Sequence, residues 1–192
     1  MDIIFTRKMI LSGARVYLRR FNYQDADTML KWGRSQRLHK LAGLQKLNNI
    51  EEAKVAIRQY MKRKNSYALC LKENDRLIGL VELYERGVDS RSGLNKTKEI
   101  GFLLDQDYEH HGYMYEAISL ILQNQFVDQG QEEIWAGTLV KNLPAQKLLT
   151  KLGFKYMYTT DYAQVSDLFS FSEKYYLLKC QEWLKINSNT KS

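Results

Sequence analysis

Proline occurs once in 192 residues, cysteine twice and histidine three times. A single proline, Pro144, leaves no proline-rich linker to divide the chain. Two isolated cysteines, Cys70 and Cys180, exclude a disulfide-dense scaffold. Both sit in apolar, strand-like surroundings, as core residues of a cytoplasmic protein do, although the sequence leaves a bond between them open. No apolar run approaches the roughly 18 residues that a membrane-spanning helix needs. "MDIIFTRKMILSG" has no basic stretch followed by a long apolar one, so no signal peptide is expected and the location read is cytoplasmic. Internal repeats and low-complexity tracts are also lacking.

What is present is an ordinary globular balance, 44% hydrophobic and 27% charged. The length predicts one domain over residues 1–186, with "NSNTKS" from Asn187 as a disordered tail. The net charge of +7 favours an anionic partner: a phosphorylated cofactor, nucleic acid or an anionic surface. No helix-turn-helix or RNA-binding motif supports nucleic acid, and no membrane partner is expected.

Periodicity and capping residues set out the elements. "ARVYLRRF" (14–21) alternates like a half-buried strand. "NYQDADTMLKWG" (22–33) follows as a helix, with Asn22 placed to cap it and Asp25 at its third position. Residues 48–64 make a second helix behind Asn48 or Asn49, acidic at its start and basic at its end. "SYALCLKENDRLIGLVELYE" (66–85) is a hairpin turning at Asn74 and Asp75, and 87–96 is a flexible connection. A strand (97–105), a helix (113–129) stopped by Gly130, a strand (132–140) and a helix (142–153) between Asn142 and Gly153 come next. Strands at 154–160 and 173–179 and a helical turn at 180–186 finish the chain. The fold class is a mixed α/β (α+β) sandwich: a largely antiparallel sheet flanked by helices.

Between the strand at 97–105 and the helix from Tyr113 lies "QDYEHHG". A strand that feeds a helix through a short loop aims the helix's first amides outward, with about half a positive charge of dipole behind them, and so suits phosphate. Gly112 would let backbone approach a ligand closely. The adjacent His110 and His111 point apart and lack a nearby third ligand, so no metal is assigned.

Thirty residues after Gly112, "NLPAQKLLTKLGF" supplies Asn142, Ala145, Lys151, Gly153 and Phe154. Together with "EIGFLLDQDYEHHGYMYEA" it resembles the acetyl-CoA-binding core of the GNAT N-acyltransferase superfamily. Ile100, Gly101, Phe102, Tyr108, Gly112, Tyr113, Glu116 and Ala117 match the branch represented by ribosomal-protein alanine N-acetyltransferases. "VYLRRFNYQDADTMLKW" and "KYYLLKCQEWL" resemble the two ends of that branch, so the likeness covers about residues 14–184.

The resemblance implies a GNAT fold in which strands splay at the cofactor, and acetyl-CoA as co-substrate. It implies that the pyrophosphate meets the amides of His110, His111, Gly112, Tyr113, Met114 and Tyr115. The pantetheine arm would pair with the main chain of Phe102, Leu103 and Leu104. Asn142 would touch the arm and Lys147 the nucleotide end. An amine, on a protein N-terminus or a small molecule, would attack the thioester directly. This sequence departs from the pattern at Asp107 and His110, where the family has Gln or Arg and a glycine. It departs again at Ala145 and Leu149, where the proton donor to the thiolate usually stands. Candidates for the base are Glu82 and Glu99 on the central strands. An acyl-CoA-binding module with little catalysis is the alternative, and a homodimer through 132–140 or the closing strands is compatible with the sequence.

Overall fold

The computed structural model describes residues 9–86, 96–162 and 171–188. They form two compact units: one of residues up to Glu82 with Phe102–Leu120, the other of Leu83–Gly101 with the residues from Ile121 on.

The first unit is built on an antiparallel meander of β1 (Met9–Ser12), β2 (Val16–Arg19), β3 (Ser66–Leu71) and β4 (Leu77–Glu85), in that order. All residues of β2 and β3 are buried, so β2 is covered on both faces and not half-buried as its alternation suggests; its buried Arg19 is accommodated by pairing with Asp25. The turn at Asn74 and Asp75 is where the sequence puts it, with Asp75 at a positive φ of 60°. Helices α1 (Ala26–Gly33), α2 (Gln36–Ala42) and α3 (Ile50–Lys62) follow β2. Tyr17, Phe21, Met29, Trp32, Ile57, Leu80 and Leu103 share one core cluster, each burial contributing about 1.5–3 kcal/mol. Asn22 and Asp25 form the expected capping box. Asp25 does more than cap: it is buried and grips Arg19 through two bonds of 2.8 and 2.7 Å.

The second unit orders its strands β5 (Thr97–Leu104), β6 (Glu133–Leu139), β8 (Ser172–Lys179), β7 (Lys155–Asp161). β5 pairs with β6 in parallel, while β6–β8 and β7–β8 are antiparallel. The β5–β6 ladder ends at Glu99↔Trp135, although both strands run on. β6 alternates: Ile134, Ala136 and Thr138 are buried, and Trp135, Gly137 and Leu139 lie on the other face. α5 (Leu143–Lys151) and α6 (Cys180–Ser188) complete this unit. α4 (Tyr113–Gln123) continues as a π-helical turn over Asn124–Asp128, and Gly130 at φ 67° stops it.

Two elements went unread in the sequence. β1 is four residues long, too short for a periodic signal. α2 is seven residues between a Ser35 cap and Gly43 at φ 64°. α6 runs through Ser188, past the point where a tail was expected to begin. The connection expected at 87–96 lies outside the described residues except for Lys96. Neither cysteine is in a disulfide; Cys70 is buried and Cys180 partly so. β6 and β8 each have two strand neighbours; β7 is the outermost strand of the order.

Candidate active site

In the first unit, the end of β5 leads through Asp105 and a 3-10 turn (Gln106–Tyr108) to α4. β4 approaches β5 closely here. A Cβ added at Gly79 would stand 2.5 Å from the Leu103 carbonyl oxygen, so glycine is required. The Asp105 amide donates to the Ile78 carbonyl at 2.8 Å. Leu103 is buried, while Phe102 and Leu104 are partly exposed.

Asp105 anchors the loop. Its buried carboxylate accepts from the Lys31 ammonium (2.8 Å), the Trp32 indole N–H (2.9 Å) and the Asp107 amide (3.2 Å). Burial pushes its pKa up. Lys31, Trp32 and the Asp107 amide outweigh that and hold it below the usual carboxylate range. Asp107, an unfavourable residue beside a phosphate, has its carboxylate tied to Lys31 at 2.7 Å. Glu109 is held by the Arg37 fork at 2.6 and 3.0 Å, and Arg76 donates to the Tyr108 hydroxyl at 2.9 Å.

His110 has φ 65° and Gly112 φ 79°. The backbone at His110 therefore keeps the left-handed conformation that a glycine there would adopt, despite the side chain. His111 turns back: its Nδ1 lies 2.7 Å from the Glu109 carbonyl, and its ring stacks on Tyr113. The Glu116 amide donates to the Gly112 carbonyl (3.1 Å), and the amides ahead of that bond face out of the helix end.

The residue missed in the sequence is Arg15. It stands in the β1–β2 turn, donates from Nε to Glu116 (2.9 Å) and from Nη1 to the His111 carbonyl (2.8 Å), and lies over the Tyr113 ring at 5.0 Å. Glu116 also accepts the Arg15 and Val16 amides. Burial raises the Glu116 pKa, but these donors and the Arg15 charge bring it below the ordinary value. Arg15 thus sets a half-exposed cation against the loop. Its only sequence signal was the alternation of "ARVYLRRF", which does not say where an outward arginine ends up.

The two acids expected as bases fall in different units. Glu82, on β4, is buried and bound by the Ser66 hydroxyl and by Arg63 (2.9 Å). Such a carboxylate is a structural ion-pair partner as much as a base. Glu99, on β5 in the second unit, is half-buried. Burial raises its pKa, Arg86 at 3.2 Å opposes the rise, and Glu173 adds to it.

In the second unit, Asn142 caps α5, accepting the Ala145 amide at 3.3 Å. Lys147 is exposed on that helix, whereas Ala145 and Leu149 are buried apolar residues. Neither can deliver a proton. Of the tyrosines on β8, Tyr176 is buried with its hydroxyl 3.4 Å from Gln146 Oε1. Tyr175 lies on the opposite face, its hydroxyl donating to Glu173 (3.0 Å) and bonded to the Tyr162 hydroxyl (2.7 Å). Burial and these bonds raise its pKa far above the usual tyrosine value.

Comparison with known proteins bears on the family and the fold. The family described as an acetyltransferase (GNAT) domain matches residues 15–155. A relative from Bacillus subtilis (strain 168), the probable N-acetyltransferase YjcK, is 26% identical over 154 residues, spanning 76% of this chain and 83% of the relative. The GNAT-family acetyltransferase structure from Bacillus anthracis superposes with a TM-score of 0.79 at 18% identity, covering 90% of this chain and 99% of that one. Microcin C7 self-immunity acetyltransferase MccE, solved with acetyl-CoA and AMP, gives 0.71 at 19% identity over 87% and 93%. At these identities the superpositions speak for the fold.

Proposed function

The chain belongs to the GNAT acetyltransferase family, and we propose that it moves the acetyl group of acetyl-CoA to a primary amine on a protein N-terminus or a small molecule. The observation that carries this reading is the loop from Asp105 to Glu116. It holds the glycine-like backbone at His110, points helix amides outward and has each of its acids tied to a cation. The pyrophosphate meets the amides of residues 110–115, with Arg15 as an added cation. The pantetheine arm lies along Phe102–Leu104.

The amine nitrogen attacks the thioester carbonyl. A base first takes the ammonium proton; a C–N bond then forms, the C–S bond breaks, coenzyme A leaves as the thiolate, and the proton shed by the nitrogen passes to that thiolate. Of the two acids, Glu99 suits the role of base. Burial raises its pKa and so favours proton uptake, while Glu82 is committed to Arg63 and Ser66. The thiolate leaves without a side-chain acid at 145 or 149. Two cysteines outside any disulfide support action in a reducing, cytoplasmic setting.

Thiol release over a panel of amines tests the reading. Glu99→Gln should lower kcat/KM about 100-fold or more, and Glu82→Gln should chiefly lower the melting temperature. Full activity in both variants rejects the base. A second reading, a cofactor binder without turnover, is motivated by the apolar Ala145 and Leu149. It predicts acetyl-CoA binding with no thiol release from any amine.

A further inference from the structure

Arg86 is bound in the way an organic cation is bound. Its guanidinium lies 4.4 Å from the centre of the Trp135 ring and 5.8 Å from that of Tyr175, and Nη1 is 3.2 Å from the Glu99 carboxylate. The surrounding wall is continuous. Tyr158 stacks on Tyr175 at 5.1 Å and tilts against Trp135 at 6.1 Å. Glu173 accepts from the Tyr175 hydroxyl and adds a second carboxylate. Gly137 makes room: a Cβ there would stand 3.2 Å from the Tyr175 ring and 3.3 Å from Glu99 Oε1.

Two aromatic faces and two carboxylates leave this face of the second unit with negative charge to neutralise. Ring quadrupoles and carboxylates together select a cation over a neutral or anionic guest. The guest seen is a side chain of the same chain, and its attachment at the end of β4 lets it leave by rotation about its own bonds.

We propose that the Trp135, Tyr175 and Glu99 cage is the subsite for the acceptor amine, which enters as an alkylammonium, and that Arg86 occupies the subsite until the acceptor displaces it. The proposal rests on the assignment of Glu99 as the base. An ammonium in the guanidinium's place would set its N–H against Glu99, the group that takes the proton before attack. The acceptor is then an aliphatic amine that is protonated in solution, and an aryl amine, neutral at the same pH, gains nothing from the cage. Arg86 acts as a built-in competitor that lowers apparent affinity.

The experiment uses the full chain with saturating acetyl-CoA and the variant Arg86→Gln. KM for alkylammonium acceptors should fall about fivefold or more while KM for an aryl amine holds. Independently of turnover, methylguanidinium is titrated while the Trp135 indole N–H resonance is followed. It should bind Arg86→Gln about tenfold more tightly than the parent chain. Trp135→Phe should keep that binding and Trp135→Leu abolish it, both read by titration calorimetry because the indole is gone, with melting curves confirming that both fold. Methylguanidinium binding that is no tighter in Arg86→Gln overturns the subsite, whether or not amines are acetylated. Tighter binding with no amine acetylated keeps the cation site and overturns both the acceptor role and the acetyltransferase reading.

Discussion

At the scale of single residues, His110 is the position where side chain and backbone disagree. An L-residue held at φ 65° costs about 1–2 kcal/mol relative to a right-handed conformation. The imidazole is exposed. His110→Gly should therefore stabilise the fold by about 1 kcal/mol in denaturant unfolding. Acetyl-CoA affinity should hold or tighten, because the amides already stand where a glycine would put them. A clear loss of affinity would make the imidazole a phosphate ligand instead. The sequence showed that His110 replaces a glycine; the conformation it adopts follows from neighbours that no local pattern reveals. The same holds for Glu99. Its place on a central strand was legible, but Arg86 just past β4, Trp135 on β6 and Tyr175 on β8 surround it from distant parts of the sequence.

Among the elements, those with capping residues and clear periods were legible: α1 with Asn22 and Asp25, α3 with Asn49, α5 with Asn142 and Gly153. What escaped was long-range ion pairing. Asp105 reads as a polar residue at a strand end, yet it is the buried junction of β5, the following turn and α1. Its folded pKa is depressed, so its contribution is present above the unfolded value and lost as pH falls through the folded one. Lys31 has its pKa raised, mainly by its bond to Asp105, so its smaller share is present below its unfolded value and lost as pH climbs through the folded one. Asp105→Asn should cost about 2 kcal/mol at pH 7. Across an acid titration from about pH 5 downward the variant should lose less stability than the parent. Equal acid sensitivity in parent and variant would show that the carboxylate is not the titrating anchor.

For the whole molecule, the fold class was legible because strand and helix signals alternate in a fixed order, and the order of motifs pointed to the family. The charge of +7 was less telling, since acids as well as cations line the loop ahead of α4: Asp105 and Asp107 share Lys31, and Glu109 and Glu116 pair with Arg37 and Arg15. What remains exposed is basic and should attract a polyanionic cofactor. Acetyl-CoA at about 100 times its Kd should stabilise the protein by about 2.7 kcal/mol. That gain should shrink as salt rises from about 0.05 to 0.5 M, because screening weakens attraction between exposed charges. A thermal-shift series at fixed ligand and varied salt reads both, and a salt-independent shift would leave the net charge without a part in binding.

The ties on the loop ahead of α4 come from places far apart in the sequence: Arg15 in the β1–β2 turn, Lys31 and Trp32 on α1, Arg37 on α2, Arg76 ahead of β4. Such a spread makes the loop redundant. Losing any one tie leaves the others to hold the path of the chain. Substitutions that would unsettle a self-supporting loop are then absorbed, and residues such as Asp107 and His110 can drift from the common pattern without the loop losing its shape.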